Sequence, residues 1–310
     1  MSFAKLDALN RRLEALDHAQ LMLAVDEAVM MPPGGGGKRA EAMATLAAMA
    51  HELATAPEVA DWLAAAEAED LDAERRAAVV EFRRQHRNLN CLSSDFVARQ
   101  VEARIRCEQL WRELRPKNDW NGFLPTFEGV VALAREEAER RAEALGLAPY
   151  DAMIEQYDPG SRAAAIAPLF DDLKTFLADF VPAALAAQER RRTARPARPL
   201  PGPFAIDDQK RLGLALMEAI GFDFNRGRLD ISHHPFCNGI SDDVRMTTRY
   251  ESDGFVPALM GILHETGHGL YEQNLPRAWS HWPSGKARGM ALHESQSLFQ
   301  ETQLARRREF

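Results

Sequence analysis

His264-Glu265-Thr266-Gly267-His268 is the stretch of this chain whose residue types and spacing can do chemistry. The two histidines stand four apart, so on an α-helix both imidazoles leave the same face and can grip one metal ion. Glu265 lies one residue along, where its carboxylate reaches a water on that metal without becoming a ligand. Leu263 before the motif and Gly269, Leu270 and Tyr271 after it suit a buried helix. H-E-x-x-H therefore points to a zinc-dependent hydrolase acting on amide bonds.

A catalytic zinc takes three protein ligands and keeps one position open. The extended pattern H-E-x-x-H-x-x-G-x-x-H would need glycine at Tyr271 and histidine at Asn274, and both fail. The other common arrangement takes a glutamate from a following helix. Glu294, within Met290-Ala291-Leu292-His293-Glu294-Ser295-Gln296, fills that part. Glu272 stands one turn beyond His268 on the same helix and suits it less. A structural zinc would need a fourth ligand, and the nearest is His293. Adjacent helical side chains point about 100° apart, so His293 is expected to support the site from outside the ligand set. Upstream, His234, Arg245 and Tyr250 are candidates to face a developing oxyanion.

These side chains need a scaffold. Residues 1–190 are rich in alanine, leucine, glutamate and arginine, strong helix formers. Leu6, Leu9, Leu13 and Leu16 recur at helical spacing, as do Phe96, Val101, Ile105 and Leu110. Pro32-Pro33 followed by Gly34 breaks the first helical hairpin. Asn118-Asp119 with Gly122 and Pro125, then Pro159-Gly160, mark later breaks. The pattern predicts a helical N-terminal region over 1–200 and a zinc-binding catalytic region over 201–310. An extended, proline-rich connector is expected over 189–203. Beyond it a helix is predicted over 207–220, closed by Gly221, with strands over 228–231 and 244–250. The H-E-x-x-H helix should start near Phe255 to Pro257 and end at Asn274 and Pro276. A final helix is expected from Met290 to the C-terminus.

Composition narrows the class. The chain has 310 residues, nearly half of them apolar, enough for a sizeable core. A net charge of -8 argues against a nucleic-acid partner. Cys91, Cys107 and Cys237 form no C-x-x-C pair, which favours a reducing, cytoplasmic setting. No signal peptide and no membrane-spanning run is expected. Gly34 to Lys38 superficially suggests a phosphate loop, but Pro32 and Arg39 break that pattern. Ser295 has no base partner apart from the metal-site groups.

With these residues in hand, the chain resembles the carboxypeptidase Taq family, the M32 metallocarboxypeptidases. His234-Pro235-Phe236 resembles the family's H-P-F, Asp243-Val244-Arg245-Met246-Thr247 its D-x-R-x-T, and His293-Glu294-Ser295-Gln296 its H-E-S-Q. Met30-Met31-Pro32-Pro33-Gly34-Gly35, Asn118-Asp119-Trp120, Pro149-Tyr150-Asp151 and Tyr157-Asp158-Pro159-Gly160 also fit. The resemblance implies a mainly α fold, a helical array with a small β-sheet beside a gluzincin-type H-E-x-x-H helix and a deep groove. It implies release of single C-terminal residues from peptides, one zinc per chain (cobalt or manganese as substitutes) and a homodimer. His264, His268 and Glu294 are the implied metal ligands and Glu265 the general base. His234 and Arg245 are implied in the wall of the site. Arg245 or Arg249 is a candidate for the substrate carboxylate, which suits a fork-shaped donor. Asp243 is expected to orient Arg245 or a ligand histidine.

Two departures matter. Val25 stands where the family usually has tryptophan, and Gln300 and Thr302 differ from its Trp-Glu-Asn run. Family members also continue for a long C-terminal region, so the catalytic region reads as truncated relative to them. An exposed apolar surface is then expected. The alternatives are a catalytically weak zinc-binding module that pairs with another chain, and an endo-oligopeptidase.

Overall fold

The computed structural model describes residues 1–196 and 200–310. The fold is mainly helical with one small sheet. The breaks at Pro32-Pro33, Asn118-Asp119 and Pro159-Gly160 fall where the sequence puts them, but Gly122 and Pro125 lie inside a helix that Asp119 caps. Helix α1 (Ser2–Val29) ends before a 3-10 turn at Pro33–Gly35, and α2 (Gly36–Ala54) runs on from it. There follow α3 (Pro57–Glu67), α4 (Ala73–Leu89), α5 (Ser94–Leu114), α6 (Trp120–Leu145), α7 (Pro149–Tyr157) and α8 (Ala163–Ala194). Their starts are chemically marked. Pro57 and Pro149 occupy the first helical turn, where a missing N–H costs nothing. Asp72, Ser93 and Asp119 accept from the backbone N–H of Arg75, Phe96 and Gly122 as N-caps.

Two apolar clusters hold the fold. Phe3, Leu6, Leu63, Val79 and Phe82 from α1, α3 and α4 enclose Trp282, which arrives from the loop after the H-E-x-x-H helix. Asp7 fixes that loop by accepting from Trp282 Nε1 and pairing with His281 Nε2, each at 2.6 Å. The second cluster joins Met217 of α9 (Ile206–Ala219) and Phe222 to Val244, Met246 and Ile262. Gly221, at φ +99°, ends α9 in the left-handed region that favours glycine.

The sheet has three strands, β1 (Gly227–Ile231), β2 (Phe236–Ile240) and β3 (Asp243–Thr248), in the order β1-β3-β2. β1 pairs parallel with β3, and β2 antiparallel. Two of these strands match the expectation within a residue or two. β2 was not expected, because Asn238 and Gly239 are poor strand formers. Pairing with β3 creates it, and Gly239 permits a close approach: a Cβ there would lie 2.6 Å from Val244 Cα.

The expected connector over 189–203 needs correction. Its first six residues continue α8 as far as Ala194. Glu189 and the arginines after it are good helix formers, and Glu189 pairs with Arg192 at 3.3 Å. Ala197, Arg198 and Pro199 lie outside the described residues. The final helix is also shorter than expected. α11 (Met290–Leu298) passes into a π-helical turn at Phe299–Leu304, and no helix continues to Phe310.

Candidate metal centre

Helix α10 (Val256–Gln273) carries the H-E-x-x-H motif and starts with Pro257 in its first turn, as the sequence predicts. Ile262 and Leu263 are fully buried and hold the helix against the sheet. Two of the helix's three glycines, Gly267 and Gly269, set how closely it seats. A Cβ at Gly269 would meet the Phe222 ring at 2.8 Å and Met246 Sδ at 3.0 Å, on the sheet side. One at Gly267 would meet Gln296 O and Ser297 Cα of α11 at 2.5 Å. Only hydrogen at position 267 lets α11 approach this near, and that approach brings Glu294 to the histidines.

His264, His268 and Glu294 each offer one ligand atom, and these atoms lie within 4.8 Å of one another. His264 Nε2 is 3.4 Å from Glu294 Oε1, and His268 Nε2 is 3.3 Å from Glu294 Oε2. Two imidazole nitrogens and a carboxylate thus face a common point. The Glu294 side chain is 44% exposed, so the third side stays open to an incoming molecule. The donor set fits a catalytic zinc, with three protein ligands and room for a fourth group.

Charge and support agree with that fit. Burial, helped by His293 and His264 nearby, pushes the His268 pKa down to about 4. It is therefore neutral near pH 7, the form that binds metal. The other nitrogen of His264, Nδ1, is 3.0 Å from Glu301 Oε2, and Arg306 holds the second oxygen of Glu301 at 2.7 Å. A carboxylate behind a ligand histidine fixes the ring's tautomer and raises its basicity. Behind His268 stands a ring instead: His293 stacks on it at 4.5 Å and 15°. His293 Nε2 in turn pairs with Glu272 at 2.9 Å. Glu272, the less suited third-ligand candidate, is engaged there.

Glu265 is buried beside the three. Burial raises its carboxyl to about 7, with His264 opposing and the Glu294 carboxylate adding to the rise. A cation on the triad would pull it back down.

The upstream residues stand differently. Arg245 pairs with Asp243 through Nε and through Nη2, the latter at 3.0 Å. Asp243 also meets His18 of α1 at 3.1 Å. Asp243 thus orients Arg245 and ties α1 to the sheet; no hydrogen bond to a ligand histidine is found among the described residues. Arg249 is exposed and paired with Glu251 at 2.9 Å. The His234 ring is exposed, while its carbonyl accepts from Ser232 and Thr247. Among the described residues, none of these three side chains bonds to His264, Glu265, His268 or Glu294.

Glu301 is the residue that sequence reasoning missed. A signal was available, since it follows Glu294 by seven residues and so returns to nearly the same helix face. The π turn at 299–304, a feature frequent at functional sites, carries no such sequence mark.

Comparison with known proteins gives a consistent picture. The carboxypeptidase Taq (M32) metallopeptidase profile matches residues 5–310. Thermostable carboxypeptidase 1 of Thermus thermophilus is 37% identical over 300 residues, covering 92% of this chain and 58% of the relative. Carboxypeptidase 1 of Bacillus subtilis is 28% identical, covering 97% and 60%. The solved structure of Trypanosoma cruzi metallocarboxypeptidase 1 superposes with a TM-score of 0.86 at 36% identity, over 99% of this chain and 61% of that one. The chain thus spans about three fifths of the length of the relatives it matches. It belongs to the carboxypeptidase Taq (M32) metallopeptidase family.

Proposed function

We propose that this chain carries the zinc centre of a metallocarboxypeptidase that releases single residues from peptide C-termini. The observation that carries the proposal is the convergence of His264 Nε2, His268 Nε2 and the Glu294 carboxylate on one point, with Glu265 buried alongside. His264, His268 and Glu294 would hold a divalent ion there, which would supply Lewis acidity to the scissile carbonyl and the attacking water. Glu265 takes the proton of the attacking water and passes it to the leaving amide nitrogen. Glu301 and Arg306 hold His264 in the ligand tautomer, and the His293–Glu272 pair packs His268 in place.

The developing oxyanion needs a further donor. Arg245 is tied to Asp243, and the Tyr250 hydroxyl is buried with no hydrogen-bond partner among the described residues; both stay candidates for that donor. Arg249, exposed and paired with Glu251, is the more accessible of the two arginines proposed for a substrate carboxylate. Residues 1–200 act as the helical wall and 201–310 as the catalytic region. One zinc is held per chain, with cobalt or manganese able to take the same ligands. The chain forms a homodimer and works in a reducing, cytoplasmic setting. Its three free cysteines support that setting.

The test uses two peptides, one N-blocked and one C-amidated. The proposal expects stepwise loss of C-terminal residues from the first and none from the second. Internal cleavage of the amidated peptide would make the enzyme an endo-oligopeptidase. A second reading, a zinc-binding module that turns over weakly without another chain, is favoured by α8, none of whose described residues is buried. It expects stoichiometric metal with no release from either peptide.

A further inference from the structure

Helices α1, α2, α4, α5, α6 and α7, with the loop at 281–286, line a cavity of about 530 Å³. Sites for small molecules occupy about 300–1,000 Å³. None of His264, Glu265, His268 and Glu294 lines this cavity, so it is separate from the metal centre. Leu13 of α1, Ala47 and Ala50 of α2, and Val97 and Val101 of α5 give it an apolar wall.

The charged side chains on the cavity do not balance. They are Asp17, Arg84, Arg104, Glu137, Arg141 and Lys286. Arg84 is held by Glu81 at 2.7 Å, and Lys286 stands 3.6 Å from Asp17. Arg104 and Arg141 remain, with Glu137 as their shared counter-ion. Two guanidinium groups against one carboxylate leave one positive charge in excess.

That group is built, not a surface accident. Glu137 is 3% exposed, Arg141 6% and Gln100 8%. Glu137 accepts from Arg141 Nε at 2.8 Å and from Gln100 Nε2 at 2.7 Å, and Arg104 Nη2 lies 3.7 Å from its Oε2. Arg141 Nη1 donates to Asn88 O at 2.9 Å. Its Nη2 has no hydrogen-bond partner among the described residues. Buried donors normally find an acceptor, and burying an ion pair costs free energy that an apolar filling would not. His51, also buried on the cavity, is spent on Ser94 Oγ and Leu89 O, each at 3.0 Å. The spare donors of Arg141 and Arg104 are therefore open to an acceptor from outside the chain.

A carboxylate meets both needs. It cancels the single excess charge, and its two oxygens suit guanidinium donors held in place beforehand. Phosphate brings up to two charges and has no apolar part to set against the wall. We propose that this cavity binds a small molecule with one carboxylate and an apolar body. The carboxylate lies between Arg104 and Arg141, and the body lies against α1, α2 and α5. This inference stands apart from the carboxypeptidase reading, because its readout is binding at a site without metal ligands.

Calorimetric titration of the full zinc-loaded chain tests it with three probes: isocaproate, its neutral amide isocaproamide, and inorganic phosphate. The expected result is one isocaproate per chain, with the amide and phosphate each roughly tenfold weaker or more, as the loss of a charged hydrogen bond implies. Arg104→Ala, at a side chain 60% exposed, should fold normally and weaken isocaproate about tenfold or more. Ala47→Phe fills the cavity, leaves every charge in place and should abolish binding. Denaturant unfolding checks that both variants are folded, and Arg104→Ala decides the matter alone if Ala47→Phe is not. The proposal is overturned if isocaproate does not bind, or if the amide or phosphate binds as tightly. Isocaproate bound with unchanged affinity by the folded variants would place the carboxylate elsewhere, on the zinc included, and equally overturn it.

Discussion

Gly267→Ala probes the helix contact on which the metal site depends. The added Cβ would sit 2.5 Å from Ser297 Cα and from Gln296 O. Carbon atoms pack at about 3.5–4.0 Å, so α11 must retreat by roughly 1 Å. The obstacle is backbone, and no rotamer change relieves it. Ser297 is fully buried and donates to Glu294 O at 2.7 Å, so Glu294 moves with the helix. Zinc ligand distances tolerate only about 0.2 Å. A change outside the ligand set costs about 10- to 100-fold in metal affinity; losing Glu294 itself should cost ~100-fold or more, about 2.8 kcal/mol at 1.4 kcal/mol per tenfold. Overpacking should also lower folding stability by about 1–3 kcal/mol. Zinc titration against a chromophoric chelator, with denaturant unfolding of the apo protein, separates the two effects. Gly269→Ala is the control, because its Cβ meets the side chains of Phe222 and Met246, which can yield. It should lose stability while zinc affinity stays within about threefold, well short of the losses expected near a metal. A folded Gly267→Ala protein that binds zinc as tightly as the wild type would refute the reasoning.

Other outcomes follow from the same geometry. Glu301→Ala removes the acceptor behind His264 and should weaken zinc binding about 10- to 100-fold, as a chelator titration would show, with Glu301→Gln weakening it less. Glu265→Gln should reduce peptide hydrolysis by about 10²- to 10⁴-fold while bound zinc, measured by elemental analysis, is unchanged. Burial alone would raise the Asp7 carboxyl, but hydrogen bonds with His281, Trp282 and Arg11 outweigh it and hold the group below the usual carboxylate range. Its folded pKa is therefore lower than its unfolded one. The stability it supplies is present above about pH 4 and is lost as the pH falls towards the folded pKa. Denaturant melts should show Asp7→Asn much less stable than wild type at pH 6, with the gap narrowing as the pH falls below about 4; a gap independent of pH would contradict this.

How far the sequence carried the reading depends on the range of the interactions involved. His264, Glu265 and His268 are local: one helix repeat brings the two rings together, and no tertiary fact is needed. Glu294 required only that the next helix pack against α10, which Gly267 makes possible. Glu301 depends on a π turn, and β2 on pairing with β3; neither is set by propensity, so both stayed hidden. The helical end of α8 was mistaken for a connector because Pro196 and Pro199 coloured the reading of the arginines before them. Asp243 was expected to serve Arg245 or a ligand histidine. The choice turned on where α1 brings His18, which local sequence does not encode.

The central claim is that His264, His268 and Glu294 hold one divalent cation. Diffraction from zinc-loaded crystals, recorded on both sides of the zinc absorption edge, tests it most directly. The account predicts one anomalous peak per chain, about 2.0–2.1 Å from each histidine Nε2 and about 2.0–2.2 Å from a Glu294 carboxylate oxygen. A peak bound by other side chains, or by both histidines with the Glu294 carboxylate turned away, would contradict it.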